Sequence, residues 1–184
     1  MSFPVYVDCW RNGQQSTIPK AAVLALFPVE EMERDAEVWN LEYGPLDSCQ
    51  VHLYAESDPT QIGGFCVHRP CKDMRLWDAL AAVLRLGTLV LYWPGCEFAL
   101  VADETMAAHL PEEVVESLGP PKCVHSGEEI LLILRPPKAQ KGRPDFCPKS
   151  KAVRIPNSSS TTVKRGRLRN SCPLYRERSC SRNA

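Results

Sequence analysis

Alternation with a period of two is the first regular feature of the chain. In residues 3–10 aromatic and β-branched side chains recur along a segment that ends at Arg11, Asn12 and Gly13. An Asn-Gly pair after such a run predicts a strand closed by a tight reversal. Residues 38–43 set Trp39, Leu41 and Tyr43 on one face against Asn40 and Glu42 on the other, and residues 49–56 repeat the period with Cys49, Val51, Leu53 and Ala55. These are two antiparallel strands joined through Gly44 to Ser48. Residues 62–68 supply a third, in which Gly63-Gly64 predicts a bulge or the close approach of another backbone. A meander is expected.

Helical periodicity appears between and after these strands. Residues 20–26 predict a short helix with Thr17 or Ile18 near its cap and Pro19 in the first turn, where the missing N–H costs little. Residues 30–37 carry five acids and offer little to bury, so they read as a solvated turn. The strongest helix covers residues 74–86: Asp73 caps it, Leu76, Trp77, Leu80, Val83 and Leu84 form its apolar stripe, and Gly87 stops it. Residues 88–93 form a continuous apolar strand, Pro94-Gly95 turns it, and residues 98–101 return. Asp103 caps a helix through Ala108, Pro111 starts another that ends at Leu118-Gly119, and residues 122–125 make a short strand. Ser126 and Glu129 form a capping box ahead of residues 130–134. The fold class is α+β, an antiparallel meander sheet with helices packed mainly on one face.

Charge divides the chain in two. Residues 1–135 hold 9 basic and 20 acidic side chains, a net −11, whereas residues 136–184 hold 13 Lys/Arg against Asp145 and Glu177, a net +11. The second part opens on Pro136-Pro137 and contains too few large apolar residues to offset the entropy of ordering. The expected organisation is an acidic α+β domain over 1–135 and a basic, disordered tail over 136–184. The N-terminal residues lack the basic and apolar regions of a secretory signal, and the longest apolar run, residues 79–92, is broken by Arg85 and Gly87. A cytoplasmic protein outside the membrane is expected. Nine cysteines, an odd number at irregular spacings, read as reduced thiols.

Several groups of residues invite a chemical reading. Cys66, His68 and Cys71, with Cys49 and His52 on the neighbouring strand, have the ligand types of a zinc site. In an extended strand, however, Cys49 and His52 fall on opposite faces, so no metal and no cofactor is expected. A nucleophilic arrangement drawn from Cys66 or Cys96, His109 or His125, and Asp103 is the enzymatic alternative, with Cys96, in the turn after Trp93, His109 and Asp103 as its candidate catalytic set. Walker, Rossmann, nucleophile-elbow and zincin motifs are absent. The carboxylates Asp103, Glu104, Glu112 and Glu113 suit the first turns of their helices, and they also form the acidic side of a binding surface. Trp93, at a strand end, is a candidate interface anchor beside them.

The leading functional expectation is a non-catalytic protein-binding module, immunity-like or inhibitor-like, whose acidic body docks a basic partner. A second alternative is nucleic-acid binding by the tail through Lys164, Arg165, Arg167 and Arg169. All the periodic segments precede Arg135. A chain truncated after Arg135 is therefore expected to keep a cooperative thermal transition within a few degrees of the full chain, and loss of that transition would reject the boundary.

Overall fold

The computed structural model describes residues 3–30 and 33–135. The basic tail, 136–184, lies outside the described residues, as do its four candidate phosphate-binding side chains. The described residues form an α+β fold. Its strands are β1 (Val5–Arg11), β2 (Gln14–Gln15), β3 (Ile18–Pro19), β4 (Val38–Gly44), β5 (Asp47–Ala55), β6 (Gln61–His68), β7 (Leu89–Tyr92), β8 (Leu100–Val101) and β9 (Lys122–Cys123). They build one sheet in the order β4-β5-β6-β1-β7-β8-β9, with β2 paired to β1 and β3 to β6. The pairings are antiparallel apart from β8 with β9. The helices are α1 (Lys20–Leu24), α2 (Met74–Val83), α3 (Glu112–Leu118) and α4 (Gly127–Leu134), with a 3-10 helix at Glu104–His109.

The expected meander is present as β4-β5-β6, and the sheet continues beyond it through β1. The Asn-Gly reversal also forms, because Asn12 and Gly13 both take positive φ, 52° and 75°, and return the chain along β1. Two short strands were not anticipated. Gln14 and Gln15 carry no apolar pattern, and Ile18–Pro19, expected at a helix cap, instead pairs with Ile62 and Gln61 before α1 begins. Asp103 caps its helix as expected by accepting from the Thr105 N–H at 2.7 Å, but that helix is 3-10, and Leu110 returns to extended backbone ahead of Pro111.

The sheet has two different faces. On the first, Val5, Val7 and Cys9 of β1, Phe65 and Val67 of β6, Leu89 and Leu91 of β7 and Trp39 and Leu41 of β4 pack with Val23 of α1, Leu76, Trp77 and Leu80 of α2 and Ile130 of α4. On the second, Val90 and Tyr92 of β7 and Val101 of β8 pack with Met106 of the 3-10 helix and Val114 and Leu118 of α3, while Tyr6 and Trp10 of β1 border the group. Burial of these side chains, each contributing about 1.5–3 kcal/mol, is the main stabilising term.

Two glycines permit close approaches. At Gly64 an added Cβ would collide with the Val7 carbonyl oxygen and press on Asp8, so β6 approaches β1 closely there, and the expected irregularity also falls at Gly63-Gly64: Leu53 pairs with Phe65 and Ala55 with Ile62, which leaves the extra residue on β6. At Gly127 an added Cβ would meet the backbone of Trp77 and Asp78, which lets the start of α4 lie directly on α2. Because backbone cannot swing aside as a side chain would, Gly127→Ala is expected to destabilise by about 1–3 kcal/mol, read as a lower denaturant midpoint at unchanged m-value.

Candidate functional site

The 3-10 helix sets the positions of three residues expected from sequence. Asp103 is its N-cap, Glu104 its first residue and His109 its last. At a rise of about 2 Å per residue the two ends stand roughly 10 Å apart, so Asp103 does not orient His109. Each is otherwise engaged. The Asp103 carboxylate is held below the usual range by hydrogen bonds from the Thr105 N–H and hydroxyl, whereas His109 Nδ1 lies 3.1 Å from Asn12 Oδ1 and 3.3 Å from the Asn12 N. Those contacts, with the Gly13 N–H donating to the His109 carbonyl at 3.0 Å, tie the 3-10 helix to the β1–β2 turn. Cys96 sits in the Trp93 turn, where its N–H donates to the Trp93 carbonyl at 3.1 Å, and it packs at the margin of the second face.

The binding residues divide between the faces. Trp93 is half-buried against the first face and meets Phe98 edge-on, with ring centroids 6.1 Å apart. Glu112 and Glu113 occupy the first turn of α3 and are exposed, as are Asp103 and Glu104. Their elements bury Met106, Val114 and Leu118 against the second face. Trp93 and the four carboxylates therefore belong to opposite sides of the sheet.

The second face holds a group that the linear pattern did not single out. Asp8 is 9% exposed, the one buried charged residue among those described, and accepts a hydrogen bond from the Tyr92 hydroxyl at 2.7 Å. Tyr6 stacks on Tyr92 with centroids 5.3 Å apart. The strand registers align Tyr92, Tyr6, Cys66 and His52 across β7, β1, β6 and β5. Burial, followed by the Asp8 charge, drives the Tyr92 hydroxyl well above the ordinary phenol value, and the same two causes push the Cys66 thiol up to about 12. Both stay protonated at neutral pH, which suits Tyr92 as donor to Asp8 and argues against Cys66 as a nucleophile. Trp10, Tyr54 and His52 are half-buried on this side, while Asn40 and Gln50 of β4 and β5 are exposed. A lone acid within an otherwise apolar strand is the available signal: Asp8 shares the parity of Tyr6 and Trp10, not of Val5 and Val7.

The zinc-type ligands are likewise distributed over both faces. Cys49 lies in the first-face core, and His52 pairs with Cys66 on the other side. His52 and His68 bring their rings within 4.3 Å, and no cluster of three metal-ligating side chains forms among the described residues. Nor is any helix among them long and apolar enough to cross a membrane. Comparison with family models, curated proteins and solved structures finds no match.

The two imidazoles supply a pH test. His68 is held below 6.5, first by burial, then by the neighbouring His52 and Arg69, so its neutral form is the one the fold favours. Its contribution to stability is complete above the unfolded value near 6.5 and is lost as the pH falls below it. His52→Gln removes one cause of the depression. An NMR titration is expected to show His68 titrating below 6.5 in the native chain and moving upward in the variant.

Proposed function

We propose that the acidic body is a non-catalytic protein-binding module that docks a basic partner through the second face of the sheet, in the manner of an immunity or inhibitor protein. The observation that carries this reading is the juxtaposition of two things interfaces use. Half-buried Tyr6 and Trp10 border the apolar group under the 3-10 helix and α3, with Tyr54 half-buried on β5, and exposed carboxylates stand on those same two helices. Aromatic side chains with few rotatable bonds are efficient interface anchors, and a border of like charge speeds encounter with an oppositely charged partner. In this reading Tyr6 and Trp10 take the anchoring role expected of Trp93. Glu104, Glu112 and Glu113 enter no ion pair with a described Lys or Arg, which leaves their field directed at solvent.

The body at −11 and the tail at +11 attract each other, so the tail competes with a basic partner for the same surface. The test is binding of the full chain to a panel of small basic proteins and to DNA and RNA, at about 50 mM and about 500 mM salt. Glu112→Lys combined with Glu113→Lys is expected to weaken binding of the basic protein at least tenfold at low salt, Trp10→Ala to speed its dissociation, and removal of residues 136–184 to strengthen it. Nucleic-acid binding that ignores the charge reversal and vanishes with the tail would replace this reading with one centred on Lys164, Arg165, Arg167 and Arg169. Binding of neither class at low salt would reject charge as the basis of function.

A further inference from the structure

Arg69 is the backbone outlier among the described residues. Two non-glycine residues take a positive φ, and the first, Asn12 at 52°, belongs to the Asn-Gly reversal, where that conformation is favoured. Arg69, at 50°, lies in no such reversal, and it precedes Pro70, a position that favours extended backbone. The surroundings hold it there. His68 is fixed by its pairing with Gln50 at the end of β6, Pro70 is buried, and the Cys71 carbonyl accepts from the buried Trp77 Nε1 at 3.1 Å. Such conformations persist only where neighbouring structure imposes them, and they concentrate at sites that clamp a ligand.

Arg69 and Lys72 line a surface cleft of about 410 Å³ together with Asp47 and Ser48 from the β4–β5 connection. Both cations are exposed, and neither enters an ion pair with a described Asp or Glu, although residues 1–135 carry 20 acidic side chains against 9 basic ones. The nearby Asp73 is already engaged by Arg75 at 2.9 Å. Asp47 is therefore the one carboxylate in the lining, and Ser48 supplies a hydroxyl. Leu46, 96% exposed, and Pro70 add apolar surface to the same cleft.

We propose that this cleft binds a small soluble phosphate monoester, with Arg69 and Lys72 as its cationic contacts and Ser48 as a hydroxyl donor. Attraction scales with ligand charge, so a phosphate monoester near −2 at neutral pH is held more strongly than a carboxylate at −1. Its three terminal oxygens accept from guanidinium, ammonium and hydroxyl at once. The cleft has the volume of a small-molecule site, more than a bare phosphate fills, and Leu46 and Pro70 offer the organic part of the ester an apolar contact. Because the backbone at Arg69 is already fixed, binding needs little further ordering of the chain.

The residues of the cleft act in different directions. Asp47 repels the ligand, so Asp47→Asn strengthens binding. Arg69→Gly removes a cation and also puts at the outlier the residue that takes positive φ freely, so it weakens binding without lowering the melting temperature. Leu46→Ser touches only the contact with the organic part, so it weakens an aryl phosphate and leaves inorganic phosphate unchanged. Exposed charges are screened, so the affinity for inorganic phosphate is modest, with Kd on the order of millimolar at low salt, and it falls as salt rises.

The experiment titrates inorganic phosphate and phenyl phosphate into the full chain at about pH 7.5 and about 50 mM salt. Binding is read residue by residue from amide shifts in NMR spectra, because the 13 Lys/Arg of residues 136–184 also attract phosphate. The expected result is saturating shifts at residues 46–48 and 69–72, with phenyl phosphate bound several-fold more tightly. Lys72→Gln and Arg69→Gly are each expected to weaken binding about fivefold, and Asp47→Asn to tighten it about twofold. Arg69→Gln replaces Arg69→Gly if that chain does not fold, judged by circular dichroism. Shifts confined to residues 136–184, or one affinity shared by the native chain and these variants, overturn the proposal. Phosphatidate vesicles and a tyrosine-phosphorylated peptide form the comparison arms, and binding of either one without saturation by the small esters overturns it in favour of that source.

Discussion

Strand β1 is held from both sides and buried on both faces, and the architecture depends on that double constraint. It pairs with β6 along one edge and β7 along the other, joining the meander to the β7–β9 part of the sheet. Its odd-numbered residues Val5, Val7 and Cys9 lie among side chains from α2 and α4, and its even-numbered ones meet a separate group built on the 3-10 helix and α3. A strand buried on one face tolerates polar residues on the other at no cost. Here the inner alternation places a carboxylate, Asp8, where it is largely buried, and the Tyr92 hydroxyl offsets part of its desolvation. Gly64 follows from the same constraint, because a side chain opposite Asp8 would strike the β1 backbone.

The two faces have different energetic characters. The first is almost wholly apolar, closed by α1, α2 and α4, and its tight contacts, such as Gly127 on the backbone of Trp77 and Asp78, leave little room for rearrangement. The second combines apolar packing under α3 with tyrosines, imidazoles and one buried acid. Apolar burial is concentrated on the first face, and the half-buried aromatic and polar groups are concentrated on the second.

Local signals carried much of the description. Asn12-Gly13, Asp73, Asp103 and Ser126 act through contacts spanning two or three residues, so their turn and cap geometry is visible in the chain itself. The stripe of α2 and the alternation of β4 and β5 are equally local and were legible for that reason. The candidate site was less so. Asp103 and His109 look like partners in sequence, yet a 3-10 helix separates them lengthwise; Trp93 looks like the anchor of the acidic group, yet strand parity sends it to the other face.

What the sequence by itself determined is the longer elements, the α+β class, the division of charge between residues 1–135 and 136–184, and the separation of Cys49 from His52 by strand parity. These depend on periodicity, capping and composition, all short-range or summed properties. Tertiary structure alone decided the strand order that puts β1 between β6 and β7 and the meeting of Asp8 with Tyr92 across 84 positions. No local rule specifies which strands become neighbours. That choice is made when all the apolar faces are buried at once, and each long-range contact repays its loop-closure entropy only within the assembled core.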